Sequence, residues 1–263
     1  MARSTLIAAG IFSAAIVAAS SASAIYSTSF EPPAYGVGSV ATQDGWLNGS
    51  SAGASQTVVN DFARTGSQSL FWDNSTLNSF YSVRRVMNGQ NGAISAATPL
   101  EISIWMNIGT STTANRLYGI YAMNSSTSTL GGVNLGVTIS GDGSVRAGTA
   151  WNQTYAGAAD YVNAALVGQW FNVALQYDGV GGKVVIRDAG MNELFSESYA
   201  AVTLANANGA GLWGINLGSD YFDTVNRAGR AHMDDLTVRL IPTPGALALL
   251  GLAGLARARR RRA

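Results

Sequence analysis

From Leu100 to Ile108 the chain reads LEISIWMNI, with Leu100, Ile102, Ile104, Met106 and Ile108 at every second place. Glu101, Ser103, Trp105 and Asn107 fill the places between. A period of two puts the apolar set on one face of a strand and the polar set on the other. The pattern recurs. Val133, Leu135, Val137 and Ile139 alternate, and Ser140-Gly141-Asp142-Gly143 then turns the chain into Val145-Arg146-Ala147. Phe171, Val173, Leu175 and Tyr177 alternate, and Asp178-Gly179 with Gly181-Gly182 leads into Lys183-Val184-Val185-Ile186. Asp-Gly and Gly-Gly between alternating runs are hairpin signals, because such turns need positive φ. Leu236, Val238 and Leu240 make a closing strand. No window outside the two ends keeps a helical period. The expected fold is all-β: a two-sheet antiparallel sandwich of the jelly-roll kind.

The ends obey different rules. Arg3 precedes an apolar run from Leu6 to Ala19, and Ser20-Ser21-Ala22-Ser23-Ala24 follows. Charge, apolar helix and small residues are the parts of a secretory signal peptide, with Ala22 and Ala24 as the cleavage site. Residues 1–24 are therefore expected to be removed through the Sec export machinery. At the other end Pro242-Thr243-Pro244-Gly245 opens an apolar run that Arg257, Arg259, Arg260, Arg261 and Arg262 close. Gly245 to Ala256 is 12 residues, about 18 Å as a helix. A stable span takes about 20 residues, so this short hydrophobic helix suits a transient hold on the inner membrane. Its arginines favour the cytoplasmic side. Residues 25–240 remain as one β domain, and 241–263 as a sorting signal.

Once both ends are set aside, the charge changes sign. Six of the 16 basic residues lie in the termini, which leaves ten against 15 acidic ones and a formal charge of −5. Lys183 is the only lysine, and Arg84-Arg85 the only internal basic pair. A domain of this charge without a basic cluster is not built for nucleic acid. The absence of cysteine excludes disulfides and thiolate metal sites.

The run from Pro242 to Leu255 with its arginine block resembles a PEP-CTERM sorting domain, with Thr243 where the family's usual motif has glutamate. The resemblance implies processing by exosortase and a place at the cell surface or in the extracellular matrix of a Gram-negative bacterium. Within the domain, Phe30-Glu31, Asp44-Gly45-Trp46 and Arg64-Thr65-Gly66-Ser67-Gln68-Ser69-Leu70 come early. Gly168-Gln169-Trp170-Phe171-Asn172-Val173 and Met233-Asp234-Asp235-Leu236-Thr237-Val238 come late. Their order resembles the concanavalin A-like and laminin G-like β-sandwiches and related carbohydrate-binding modules. That resemblance implies a structural calcium ion joining first and last strands, held by Glu31, Asp234 and Asp235. Asp234 shares parity with Leu236 and Val238, so its carboxylate is expected to point inward.

No catalytic residue is assigned. Glycoside hydrolases of the resembled fold aim two carboxylates at one cleft, and the nearest approach is Glu193 with Glu197, beside a hairpin loop at Asp188–Asn192. His232 is the sole histidine, and no Gly-x-Ser-x-Gly elbow presents a nucleophile. Trp105 and Trp170 lie on the parity opposite their strands' aliphatic residues, which marks them as candidate sugar platforms unless loops cover them. The expectation is a non-catalytic exported surface or matrix protein. A carbohydrate-binding, lectin-like module is the alternative, with extracellular polysaccharide as partner, and a glycoside hydrolase comes third.

Overall fold

Sixteen strands carry most of the residues that the computed structural model describes, which are 24–50, 56–73, 81–87, 94–109, 116–124, 133–156, 158–202, 204, 212–221 and 229–241. They begin with β1 (Ala24–Thr28), β2 (Gly38–Ser39), β3 (Trp46–Ser50), β4 (Gln56–Val59), β5 (Ser69–Asp73) and β6 (Tyr81–Val86). Next come β7 (Leu100–Ile108), β8 (Arg116–Met123), β9 (Val133–Ser140), β10 (Ser144–Gly148) and β11 (Tyr161–Val162). The last are β12 (Trp170–Tyr177), β13 (Gly182–Arg187), β14 (Glu193–Tyr199), β15 (Gly214–Tyr221) and β16 (Arg230–Leu240). Among the described residues the helical pieces are single turns, Gln153–Ala156 and Ala164–Leu166. The expected signal helix with Ala22, and the expected C-terminal helix with Pro242, Pro244 and the arginines, lie outside the described residues. Ala24 opens β1, across from Arg239.

The strands form two antiparallel sheets. One runs β14-β13-β12-β7-β16-β5-β4-β2 with β1 also on β16, and the other runs β11-β10-β9-β8-β15-β6-β3. Their inner faces make one core. Ile102, Ile104 and Met106 of β7, with Val173 and Leu175 of β12, meet Ile120 of β8, Val137 of β9 and Leu217 of β15, all buried. The expected turns are present and stabilised by side chains. Asp142 accepts hydrogen bonds from the Ser144 amide (2.9 Å) and the Ser140 hydroxyl (2.6 Å), and Gly143 takes a φ of 84°. Asp178 does the same for the amides of Val180 (2.9 Å) and Gly181 (2.7 Å).

β16 organises the larger sheet. One edge pairs with β7 along its length. The other pairs first with β5, through Arg230 to Met233, and then with β1, through Leu236 to Arg239. Between them neither strand reaches Asp234 or Asp235. There the register slips: Trp105 faces Asp234 and Ser103 faces Thr237, so both Asp235 and Leu236 stand across from Ile104. This is a bulge, and Asp235 has a φ of 49° to make it.

The bulge corrects one expectation. Counting back from Leu236 by twos sends Asp234 inward, but the extra residue reverses the parity. Asp234 shares the outer face with its partner Trp105 and is buried there, at 0 % exposure, under a loop.

Candidate functional site

Residues 60–68, between β4 and β5, fill the gap beside the bulge and are held by three carboxylates. The Arg64 and Thr65 amides donate to Asp234 Oδ2 (2.9 and 3.2 Å), and the Asp235 amide donates to Oδ1 (2.8 Å). Arg64 Nη1 and Thr65 Oγ1 donate to the two oxygens of Asp235, each at 2.6 Å. From the other side the Ser67 and Gln68 amides donate to Glu31 Oε1 (2.7 and 2.6 Å), and Ser67 Oγ donates to Oε2 (2.8 Å). Gly66, at a φ of 64°, lies so close that a Cβ there would sit 2.6 Å from the Glu31 carboxyl carbon.

This geometry bears on calcium. The three residues named for a cation do come to one loop, as first and last strands bring them. Their oxygens, however, face amide and hydroxyl donors, where a cation needs further oxygen ligands. Among the described residues no group of three acidic or histidine side chains converges. The residues as arranged fit an amide clamp and do not fit a calcium shell. Burial pushes the Asp234 carboxyl up to about 6; the Asp235 charge adds to this, while the amides of Thr65, Arg64 and Asp235 pull it down. Partial desolvation pushes Glu31 up, yet the Ser67 hydroxyl and the amides of Gln68 and Ser67 together hold it below the usual carboxylate range.

The same loop explains both tryptophans. Trp105 and Trp170 lie on the outer face, as their parity requires, and are diagonal neighbours on β7 and β12. Arg64 lays its guanidinium over the Trp105 ring, 3.6 Å from the centroid. Phe62 stacks on Trp170 at 5.5 Å with planes 8° apart. Each indole therefore has one face covered, and Trp105 is only 8 % exposed. His232 packs against Phe62 and Phe71 and shares a 3.0 Å hydrogen bond between its Nδ1 and Ser69 Oγ. Burial lowers its pKa.

Beside the loop the outer face opens into a cleft of about 390 Å³. Glu101, Ser103 and Trp105 of β7 form its floor, with Asn172 of β12 and Thr237 and Arg239 of β16 on either side. Arg64, Thr65, Asp235 and the exposed Met191 make the rim. Glu101 anchors the polar layer. Its Oε1 accepts from Arg239 Nε (3.1 Å) and Nη2 (2.7 Å), and its Oε2 from Gln176 Nε2 (2.8 Å). Arg187 Nη2 stands 3.7 Å from Oε2, and Arg187 Nη1 donates to Asn172 Oδ1 at 3.1 Å. Trp170 lines a separate depression of about 370 Å³ with Gln169, Asp188 and Leu194. A third hollow, about 410 Å³, follows the Asp178–Lys183 turn and is lined by Pro99, Gln176, Tyr177, Ser198 and Tyr199 as well as the turn itself. Among the described residues, the depression at Trp170 gathers an indole with the amides of Asn163 and Gln169 and the carboxylate of Asp188, and the cleft at Glu101 adds hydroxyl and guanidinium groups to such a set.

Arg239, Arg187, Gln176 and Asn172 were not singled out from the sequence. The signal that finds them is parity carried across strands. Glu101 pairs with both Gln176 and Arg239, and Trp105 pairs with Asn172.

Glu193 and Glu197 do not form a facing pair. Glu197 pairs with Val184, whose side chain enters the core, whereas a register shift sets Glu193 across from Arg187. The shift puts the two carboxylates on opposite faces of β14. Glu193 bonds to Ser196 (2.6 Å) and Lys183 (3.4 Å), which hold its pKa below the usual range.

No family model matches the chain, and no curated protein matches it. Among solved structures it is similar to a xylan-binding domain from Paenibacillus barcinonensis, at 16% identity over 84% of this chain and 97% of that one, TM-score 0.39. A carbohydrate esterase of Shiga toxin-encoding bacteriophage phi24B matches at 13% identity over 84% of this chain and 100% of that one, TM-score 0.49. Arcelin-5, a lectin-like defense protein of Phaseolus vulgaris, matches at 9% over 83% and 98%, TM-score 0.46. Similarity at this level does not extend to ligand or activity, which have to be read from the cleft itself.

Proposed function

We propose that the β domain is a non-catalytic glycan-binding module of an exported protein, and that the cleft over Glu101, Ser103 and Trp105 is its site. One observation carries the reading: an open hollow on the outer face of a sheet whose lining alternates an indole with amide, hydroxyl and guanidinium groups. Sugars present hydroxyls in pairs on a ring with apolar faces. Groups that both donate and accept, fixed on adjacent strands beside an aromatic ring, match that surface. The lack of catalysis is supported by the carboxylates. Glu193 and Glu197 face opposite ways, and Glu101 is held by arginine and glutamine. Ser103→Trp fills the cleft without removing a hydrogen bond; at this half-buried position overpacking is expected to cost about 1–3 kcal/mol, so a thermal melt accompanies the binding test to show that the variant is folded. Affinity electrophoresis in gels containing a panel of soluble polysaccharides should show retardation of the wild type that this variant loses. Equal retardation of both places the site elsewhere.

The export reading rests on the two end signals, with the Sec machinery, exosortase and a Gram-negative surface or matrix as its setting. Intact-mass measurement of the protein recovered outside the cell should show residues 1–24 and the arginine block gone. An arginine block still attached ends that part of the account.

A further inference from the structure

We infer that the cleft takes an acidic polysaccharide, with a sugar carboxylate or sulfate ester seated on Arg239, and Arg187 adding its charge from beside the lining residues Asn172 and Glu101; this rests on the glycan-binding reading above. Glu101 lies at 2 % exposure in the middle of the outer face, and it is served by two guanidinium groups. The side chain of Arg239 is 41% exposed and that of Arg187 17%, against 3% for the carboxylate between them. A ligand approaching from solvent therefore meets the arginines, with the negative charge beneath. One arginine would neutralise Glu101, and the second leaves a surplus.

Donors are left over as well. A guanidinium carries five N–H groups in a fixed fork that fits two oxygens of a planar anion. Arg239 uses Nε and Nη2 on Glu101, and among the described residues its Nη1 meets no acceptor. Glu101 and Asn172 fix where the two forks point, so little order is lost when an anion arrives.

Two further charge pairs face the cleft, and among the described residues one carboxylate beside it has amides and no cation for partners. Arg64 pairs with Asp235 at 2.6 Å and Lys183 with Glu193 at 3.4 Å. Asp234 is sealed under the loop by three amides. Asp234 offsets the surplus in the sum, so what favours an anion is placement: Arg239 and Arg187 reach solvent, whereas Glu101 and Asp234 are buried beneath them and beneath the loop.

Three gels decide it, containing polygalacturonate, dextran sulfate or neutral dextran. Retardation by either anionic polymer and not by dextran is expected. Polygalacturonate alone identifies a carboxylate, dextran sulfate alone a sulfate ester. Arg239→Gln should weaken the binding. Because that change also strips a partner from buried Glu101, the sharper comparison is Ser103→Glu against Ser103→Gln, which differ in charge at the cleft floor. The glutamate variant should bind the anionic polymer about tenfold or more weakly than the glutamine variant. Raising salt from about 0.1 M to about 1 M should narrow the gap, since screening shortens from about 10 Å to about 3 Å. Equal binding by the two Ser103 variants, or dextran retarding the protein as much as the anionic polymers, overturns the acidic specificity and leaves the glycan-binding reading standing. No retardation by these three overturns the inference. If the neutral panel also gives none, the reading beneath it fails too.

Discussion

Asp234 is the residue on which the outer face turns. It is a buried carboxylate surrounded by donors, and its pKa of about 6 lies above the ordinary value of 3.8. An acid whose folded pKa is raised binds protons in the native state before the unfolded chain does. Its effect on stability is therefore most favourable below the unfolded value and is lost as pH rises through about 6. Glu31, on the same loop, works in the opposite sense. Its folded pKa is lowered, so its contribution is present above its unfolded value of 4.5 and is lost as pH falls through the lower folded one. Asp234→Asn removes the first dependence. It also turns an amide nitrogen toward the N–H of Asp235 or of Arg64 and Thr65, at a cost of about 1–3 kcal/mol for the unmatched donor. Urea unfolding across the acid-to-neutral range should show the deficit of the variant to be largest below about pH 4, shrinking as pH rises through about 6 and level above it. A deficit constant with pH would assign the raised pKa no energetic role.

At the scale of elements, loop 60–68 and the β16 bulge belong together. The bulge opens a gap between β5 and β1 on one edge of β16, and the loop's amides enter it to meet Asp234, Asp235 and Glu31. Gly66→Ala tests this clamp, because alanine at φ 64° is strained and its Cβ runs into Glu31. The left-handed conformation alone costs about 1–2 kcal/mol, so a fall in the thermal midpoint is expected. Addition of a chelator, by contrast, should leave the wild-type midpoint unchanged. A midpoint lowered by chelator and restored by calcium would show that Glu31, Asp234 and Asp235 rearrange around a cation. How much of this was legible follows from the range of the interactions. Alternation located β7, β9 and β12, the Asp178-Gly179 and Gly181-Gly182 turn signals located β13, and parity placed Glu101, Ser103 and Trp105 on the face opposite the aliphatic residues, because strand parity is a property of neighbours in sequence. The phrases Phe30-Glu31, Arg64–Gln68 and Asp234-Asp235 held the clamp residues. What they do to one another depends on pairing across 36 to 171 positions. The bulge was not legible, since one extra residue reverses parity without altering composition. Nor were the partners of Glu101, which lie 75 and 138 residues away.

At the scale of the whole molecule, two sheets share one apolar core and differ on their outer faces. The seven-stranded sheet carries Tyr121, Met123 and Trp213, buried in an apolar cluster with Val86 and Trp151 packed against it. The nine-stranded sheet carries the polar cleft, bordered by the clamped loop. The proposed ligand site lies on the second face alone, and the six tryptophans are spread so as to report on it. Trp46 and Trp72 are in the core, Trp151 and Trp213 on the first face, Trp105 and Trp170 on the second. The most direct measurement is therefore a proton–nitrogen NMR titration of the indole N–H and arginine Nε–H signals with oligosaccharides of a polymer that retards the protein. The Trp105 indole and Arg239 Nε–H should shift in a saturable, concentration-dependent way, while Trp46, Trp72, Trp151 and Trp213 hold still. Saturable shifts at Trp151 or Trp213 with Trp105 and Arg239 unmoved would put the ligand on the opposite face and contradict the account.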